Sequence, residues 1–138
     1  MSQSIDYIIN TNNPHRLQDE IDMVDNKMFG TFCENSRKID HINGGDTVFL
    51  YKKGKGIIAY GQATGIVEVK DRIKPENNEL VVNGSHYQKF SNFTQLRNPL
   101  TASQIKQVLG RYVAFNKTIF KLHSNEGEKI ISFLEKDN

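Results

Sequence analysis

Few residues in this sequence have the types and the spacing that catalysis requires. The four histidines are dispersed and form no H-x-x-x-H or H-x-E pattern, and no G-x-S-x-G motif or Walker loop occurs. The single cysteine, Cys33, excludes an internal disulfide and a multi-cysteine metal site, and we interpret it as a buried thiol. We therefore predict no catalytic residue, no metal site and no cofactor.

A glycine pattern near the middle of the chain resembles a nucleotide-binding loop. Gly54, Gly56 and Ala59 fit G-x-G-x-x-A, a motif that requires a helix to begin at the glycines. Here the glycines are followed by "IIAYGQAT", which is typical of a strand. We interpret "GDTVFLYKKGKGIIAYGQATG" (45–65) as a β-hairpin whose basic tip is "KKGK" (52–55).

Three segments combine aromatic residues with polar neighbours. "NTNNP" follows a predicted strand, "MFGTF" is interpreted as an irregular loop, and "RYVAFNKT" follows a predicted helix end. A nucleobase is bound by an aromatic face together with Asn, Thr or backbone groups that reach its edge. If the segments meet at the mouth of a barrel, they could bind a base. The alternative is that Phe29, Phe32 and Phe115 belong to the core.

Charge is unevenly distributed along the chain, although the formal net charge is only +2. The part that ends at Glu34 is net acidic, whereas no Asp or Glu occurs between Glu79 and Glu126. The lysines and arginines of this span could contact phosphates together with the hairpin tip, or they could be scattered over several faces. The proposed contacts to the nucleic-acid backbone are Lys52, Lys53, Lys55, Arg111, Lys117 and Lys121.

The length of 138 residues is that of one domain. No apolar segment approaches the roughly 20 residues that cross a bilayer, and the start "MSQSIDYIIN" lacks the features of a signal peptide. We expect a cytoplasmic protein that does not contact a membrane.

Several sequential strands and three helices are predicted, and regular strand-helix alternation is missing. This order favours an α+β fold, a small and strongly curved β-barrel with about three flanking helices. The region 80–96 is predicted to form one or two strands, with a break at Asn83-Gly84. The first predicted helix has a cap at Asn13-Pro14 and an apolar stripe of Leu17, Ile21 and Val24. The second has a capping box at Thr101 and Gln104 and ends at Gly110. The third has a cap at Asn125 and Glu128, and its apolar residues are Ile130, Ile131, Phe133 and Leu134.

Four segments occur in the order and spacing of the EVE domain, a branch of the PUA-like superfamily that is related to YTH domains. These segments are "YIINTNN" (7–13), "MFGTF" (28–32), "NGGDTVFLY" (43–51) and "GIIAYGQATG" (56–65). The closing segment 98–122 resembles the later helix and pocket loop of that family more loosely. Phe29 stands where relatives often have tryptophan, a residue type that this chain lacks. The resemblance covers nearly the whole chain and implies a single EVE/PUA-like domain over residues 1–138.

The resemblance implies a non-catalytic reader that flips a modified, for instance methylated, base of nucleic acid into an aromatic pocket. DNA is favoured over RNA, and the domain would be the specificity module of a modification-dependent restriction system with a nuclease or motor partner. The base-pocket residues carried over from the family are Thr11, Asn12, Phe29, Gly30, Phe115 and Asn116. Two alternatives stay open: a PUA-like RNA-binding accessory protein without preference for modification, and a small nucleotide-processing enzyme.

Overall fold

A curled mixed β-sheet with three helices forms a half-barrel, which confirms the predicted α+β class. The computed structural model describes residues 5–11, 17–32, 37–74, 77–113, 115, 117–123 and 125–137. The elements of these residues are β1 (Tyr7–Asn10), α1 (Leu17–Asp25), β2 (Met28–Phe32), β3 (Thr47–Lys52), β4 (Gly56–Ala63), β5 (Glu68–Ile73), β6 (Leu80–Leu100), α2 (Ala102–Leu109), β7 (Ile119–Lys121) and α3 (Glu126–Asp137).

The strand order within this described part is β2-β6-β4-β3-β1-β7, and β5 pairs with β6 beside this path. β1 runs parallel to β3 and antiparallel to β7, whereas β3 and β4 form the predicted antiparallel hairpin. The strand at Gly56–Ala63 occupies the place where a dinucleotide-binding loop would need a helix. Gly56 has a φ of 117°, and a β-carbon there would overlap the carbonyl oxygen of Leu100. This glycine therefore serves close backbone packing.

Strand β6 is 21 residues long and continues through the predicted break at Asn83-Gly84. Asn83 and Asn92 adopt φ values of 55° and 54°. Each lies where the pairing register shifts, Asn83 opposite β5 and Asn92 opposite β4. Asparagine tolerates the left-handed conformation better than most residues, so it permits a β-bulge without ending the strand. β6 can therefore bend and pair with β5, β2 and β4 along its length.

The two faces of the sheet pack against different groups of residues. Successive residues of β1 and β3 alternate between the faces, as the period of a strand requires. The outer cluster, on the face covered by α2 and α3, includes Ile8, Phe49, Tyr51, Ile57, Leu100, Ile105, Leu109, Ile130 and Leu134. The inner cluster, inside the curl, includes Tyr7, Ile9, Met23, Phe29, Ile39, Ile42, Val48, Leu50 and Ala59.

The caps of α2 are as predicted. Thr101 and Gln104 form a capping box, and Gly110 ends the helix with a left-handed φ of 70°. The predicted cap of α3 is wrong, because Asn125 has a φ of 71° and not the extended conformation of an N-cap residue. The apolar residues of α3 do pack inward, with Ile130 and Leu134 almost fully buried.

The predicted apolar stripe of α1 is wrong at Ile21. Ile21 is 40% exposed, and the neighbouring Met23 is buried in the inner cluster instead. The predicted cap at Asn13-Pro14 lies outside the described residues.

"MFGTF" was interpreted from sequence as an irregular loop, and this interpretation is wrong. Residues 28–32 form strand β2, which pairs with β6 from Met28 opposite Lys89 to Phe32 opposite Ser85. Gly30 is paired in the middle of the strand and does not interrupt it. The side chain of Phe29 points to the inner cluster, where it is fully buried and its ring centroid lies 5.0 Å from that of Phe90.

Replacing Phe29 with alanine is expected to lower the free energy of unfolding by about 3–5 kcal/mol, because the substitution leaves a cavity in the inner cluster. Denaturant unfolding measures this loss. Phe93→Ala is the matched control, since Phe93 is only partly buried against the same cluster and should cost less. An equal or smaller loss for Phe29→Ala would show that Phe29 is not a core residue.

Candidate functional site

The predicted base-pocket residues are distributed over both faces of the sheet. Thr11 is fully buried at the end of β1, where its Oγ1 donates a hydrogen bond to the carbonyl oxygen of Tyr51 at 3.2 Å. Phe29 is buried in the inner cluster. Phe115 packs against the outer cluster, with its ring stacked on that of Tyr51 at 4.3 Å between centroids and 2° between planes. Asn12 and Asn116 lie outside the described residues.

The end of β1 and the segment after α2 do meet, as expected for two of the three aromatic segments. The side-chain amide of Asn10 donates a hydrogen bond to the carbonyl oxygen of Phe115 at 3.0 Å. The Thr11 amide donates to the same Tyr51 carbonyl that accepts from its hydroxyl. Burial raises the pKa of Tyr51 above its ordinary value. The arrangement joins β1, β3 and the segment at Phe115, and Phe29 belongs to a different cluster.

Gly30, the remaining base-pocket residue, lines a cleft of about 350 Å³ between α1, β2, β5 and β6. This β2–β5 cleft lies at the small end of the volumes that are typical of ligand sites, roughly 300 to 1,000 Å³. Its lining residues are Asp22, Met23, Met28, Gly30, Lys70, Asp71, Arg72, Ile73, Ser85 and Tyr87.

The lining of the β2–β5 cleft combines an aromatic ring, apolar side chains and charges of both signs. The ring of Tyr87 is partly exposed, and the Nζ atom of Lys70 lies 5.3 Å from its centroid. Arg72 is only 4% exposed, whereas Asp71 is exposed and its Oδ1 accepts a hydrogen bond from the Asn83 amide at 2.8 Å. Such a surface can hold a flat ligand with a polar edge and an attached anionic group.

The opposite side of β6 is occupied by internal hydrogen bonds. The fully buried side chain of Gln88 donates to the carbonyl oxygens of Ile39 and Ile42, each at 3.0 Å, and accepts from the Gly65 amide at 2.9 Å. Next to it, the Nδ1 atom of His86 lies 2.8 Å from Oδ1 of Asp40. These contacts hold the segment around residues 39–42 against the inner face.

Sequence reasoning missed the residues of the β2–β5 cleft other than Gly30. The signal was available in the alternation of β6, where Ser85 and Tyr87 face the cleft and Gln88 and Phe90 face inward. Using this signal required "MFGTF" to be assigned as a strand, because β2 forms one wall of the cleft.

The predicted phosphate contacts differ in their surroundings. Lys53 and Lys55 are exposed in the hairpin turn, Lys52 is half-buried at its start, and Lys117 and Lys121 are exposed near β7. Arg111 instead forms a two-pronged ion pair with Glu126, from Nε to Oε2 at 2.6 Å and from Nη2 to Oε1 at 2.7 Å.

The Arg111–Glu126 pair is a partly buried link between the end of α2 and the start of α3. The hydrogen bond from Arg111 holds the pKa of Glu126 below its ordinary value, and the same bond raises the pKa of Arg111. The carboxylate of Glu126 also accepts the backbone amide of His123 at 2.6 Å. A guanidinium that already binds a carboxylate through two nitrogens has fewer donors left for a phosphate.

No group of three or more His, Cys, Asp or Glu side chains that could hold a metal ion occurs in the described ranges. The helices that the structure describes are also too short or too polar to span a membrane.

Comparisons of the sequence with protein-family models and with curated proteins find no match. Solved structures do match. A hypothetical protein from Leishmania major has a TM-score of 0.64 at 14% identity, with 98% of this chain and 97% of that chain covered. The Mmi1 YTH domain in complex with RNA has a TM-score of 0.60 at 9% identity, with 97% and 79% covered. The chain has a YTH-like fold.

A protein from Pseudomonas syringae is also similar to this chain, with a TM-score of 0.55 at 14% identity and coverage of 93% of this chain and 98% of that chain. These similarities extend over nearly all of the chain, which agrees with the PUA-like architecture expected from the sequence. Membership of the EVE family itself stays a prediction.

Replacing Glu126 with glutamine is expected to lower the free energy of unfolding by about 1–3 kcal/mol near neutral pH, because a charge-assisted hydrogen bond is lost. The pKa of Glu126 is depressed in the folded state, so its contribution is complete above the ordinary value of 4.5 and is lost as the pH falls through the folded value. Denaturant unfolding at several pH values should therefore show wild type and variant converging in acid. A difference that is independent of pH would contradict the ion pair.

Proposed function

We propose that this chain is a non-catalytic reader of nucleic acid that accepts one extruded base in the β2–β5 cleft. The observation that carries the proposal is this cleft, with its aromatic, apolar and cationic lining, on a fold shared with a YTH domain solved with RNA. The position of Gly30 supports it further, because the EVE resemblance implies that this residue lines the base pocket and it lies in the lining of the cleft.

The lining of the cleft matches the parts of a nucleotide. The ring of Tyr87 offers a face on which a base can stack, and carboxylates accept hydrogen bonds from exocyclic amino groups. Asp22 and Asp71 are the carboxylates of the lining, and Lys70 supplies positive charge for a phosphate. A base must leave its stack to reach such a cleft, and contacts to the flanking backbone offset part of that free-energy cost.

The apolar side chains of the cleft give a reason for a preference for a methylated base. Met23 of α1 and Met28 of β2 lie in the lining, and Ile73 of β5 contributes a third apolar side chain. Burial of one added methyl group contributes about 0.8 kcal/mol, and a well-fitted contact can raise the preference toward tenfold. Methionine adapts its shape to a ligand and suits this role.

The resemblance and the comparisons suggest different types of nucleic acid as the ligand. The EVE resemblance favours DNA and a restriction system with a nuclease or motor partner, whereas the Mmi1 structure contains RNA. We propose DNA as the ligand, and RNA is the alternative that the binding assay compares with it.

The second candidate function is an RNA-binding accessory protein without preference for modification. It is favoured by the composition of the lining, in which Tyr87 is the aromatic residue and no tryptophan is available in the sequence. A single aromatic face stacks on modified and plain bases almost equally.

The proposed reading of a modified base is tested by fluorescence anisotropy with matched oligonucleotides at one salt concentration. The set comprises single- and double-stranded DNA and RNA, each plain or with N6-methyladenine, 5-methylcytosine or 5-hydroxymethylcytosine. A preference of about tenfold, or 1.4 kcal/mol, for one modified form is expected. Equal affinity for all forms of RNA would support the accessory function, and absence of binding would contradict both.

Tyr87→Ala and Gly30→Val assign the preference to the cleft. Gly30→Val should reduce the affinity for the preferred modified form to that for the plain form, because its side chain fills space in the cleft. Tyr87→Ala should lower the affinity for both forms, because it removes the face on which either base stacks. Ile66→Ala is the control, because Ile66 is 68% exposed and is not part of the cleft lining. Thermal melting separates loss of binding from loss of fold.

The hairpin tip is expected to contact phosphates. Reversing the charge of Lys52, Lys53 and Lys55 with glutamate should weaken binding to modified and plain oligonucleotides equally and reduce the dependence of affinity on salt. Titrations at several salt concentrations measure both effects. Unchanged affinity would remove the hairpin tip from the interface, whereas a loss confined to the modified form would place it in base recognition.

A further inference from the structure

We propose that Tyr112 is a second stacking contact for a base of the bound nucleic acid, outside the β2–β5 cleft. This inference rests on the proposed function and extends it to a site on the segment that follows α2. Tyr112 is 74% exposed, which makes it the most exposed of the large hydrophobic side chains in the described ranges.

Tyr112 is exposed although the residues on both sides of it are anchored. Gly110 ends α2 with a left-handed φ of 70°, and Arg111 is fixed by its two hydrogen bonds to Glu126. On the other side, Val113 is only 2% exposed and belongs to the outer cluster. The backbone at Tyr112 is therefore held in place while its ring projects into solvent. An aromatic ring on a fixed backbone loses little conformational entropy when a base stacks on it.

One face of the Tyr112 ring already contacts a cation. The Nζ atom of Lys106, on the last turn of α2, lies 4.6 Å from the ring centroid. The opposite face is the surface on which a base would stack, and Lys106 is placed to attract the adjoining phosphate. This combination of aromatic ring and neighbouring cation is how single-stranded nucleic acid is bound without sequence preference.

The positive charge of the surrounding segment favours nucleic acid as the ligand over a basic protein surface. Tyr112 lies inside the span between Glu79 and Glu126 that contains no acidic residue, and Lys117 and Lys121 follow it in exposed positions. A polyanion approaching Tyr112 therefore meets no carboxylate from its own segment, since Glu126 is buried and paired with Arg111.

The experiment uses the full chain and an oligonucleotide of about 16 nucleotides, the upper range of single-strand site sizes, that carries the preferred base at its centre. Tyr112→Ala should lower the affinity about tenfold, the value of one base stacked on an aromatic ring. Tyr112→Phe should retain the affinity because it keeps the ring. Ile66→Ala, at 68% exposure, is the control for loss of an exposed apolar side chain.

A second measurement identifies the base that contacts Tyr112. Each nucleotide outside the central one is replaced in turn by an abasic residue, and the affinity of wild type and Tyr112→Ala is compared. The affinity of wild type should fall about tenfold when the abasic residue is at one position, and the affinity of Tyr112→Ala should not fall further at that position. This non-additivity requires direct contact and is not produced by a general change in charge or fold.

The outcomes separate this inference from the proposed function. If wild type discriminates the modified base and Tyr112→Ala binds with the same affinity and the same abasic profile, the inference is overturned and the proposed function stands. If wild type binds no oligonucleotide, both are overturned, and a protein partner becomes the explanation for the exposed ring. If the loss appears in Tyr112→Ala alone and not in Tyr112→Phe or Ile66→Ala, the inference is supported.

Discussion

Strand β6 is the element on which the rest of the structure depends, because its backbone hydrogen-bonds three other strands. Its first half pairs with β5 and β2, and its second half pairs with β4. A straight strand of 21 residues could not serve both regions of a curled sheet, and the bulges at Asn83 and Asn92 supply the bends. The curl in turn creates the face on which the inner cluster packs, and β2 and β5, on either side of β6, flank the cleft.

The pattern of the sequence was sufficient where the determining contacts are local. The hairpin of β3 and β4 follows from alternation and a glycine-rich turn, and the limits of α2 follow from the capping box at Thr101 and from Gly110. These features involve residues that are a few positions apart, so propensity and hydrogen bonding within the segment decide them. The α+β class then follows from the order of the elements.

The pattern was insufficient where a distant partner decides the conformation. "MFGTF" is a strand because β6 offers it a hydrogen-bonding edge, and a glycine in the middle of a short segment hides that tendency. Met23 is buried in place of Ile21 because of how α1 packs on the sheet. The pairing of Arg111 with Glu126 could not be read from charge composition, which assigned this arginine to phosphate contact. Phe29 belongs to the core for the same reason, since its face is set by the pairing of β2.

The position of β1 in the sheet constrains how the chain can fold during synthesis. β1 is made first, yet it lies between β3 and β7, and β7 comes from the last part of the sheet to be translated. One edge of β1 therefore stays unpaired on the ribosome until residues 119–121 have emerged, and its parallel pairing with β3 also closes a long loop. An apolar strand with an open edge can pair with other chains during that interval. The hairpin of β3 and β4 can form in the meantime, which makes it the natural template onto which the first strand is later placed.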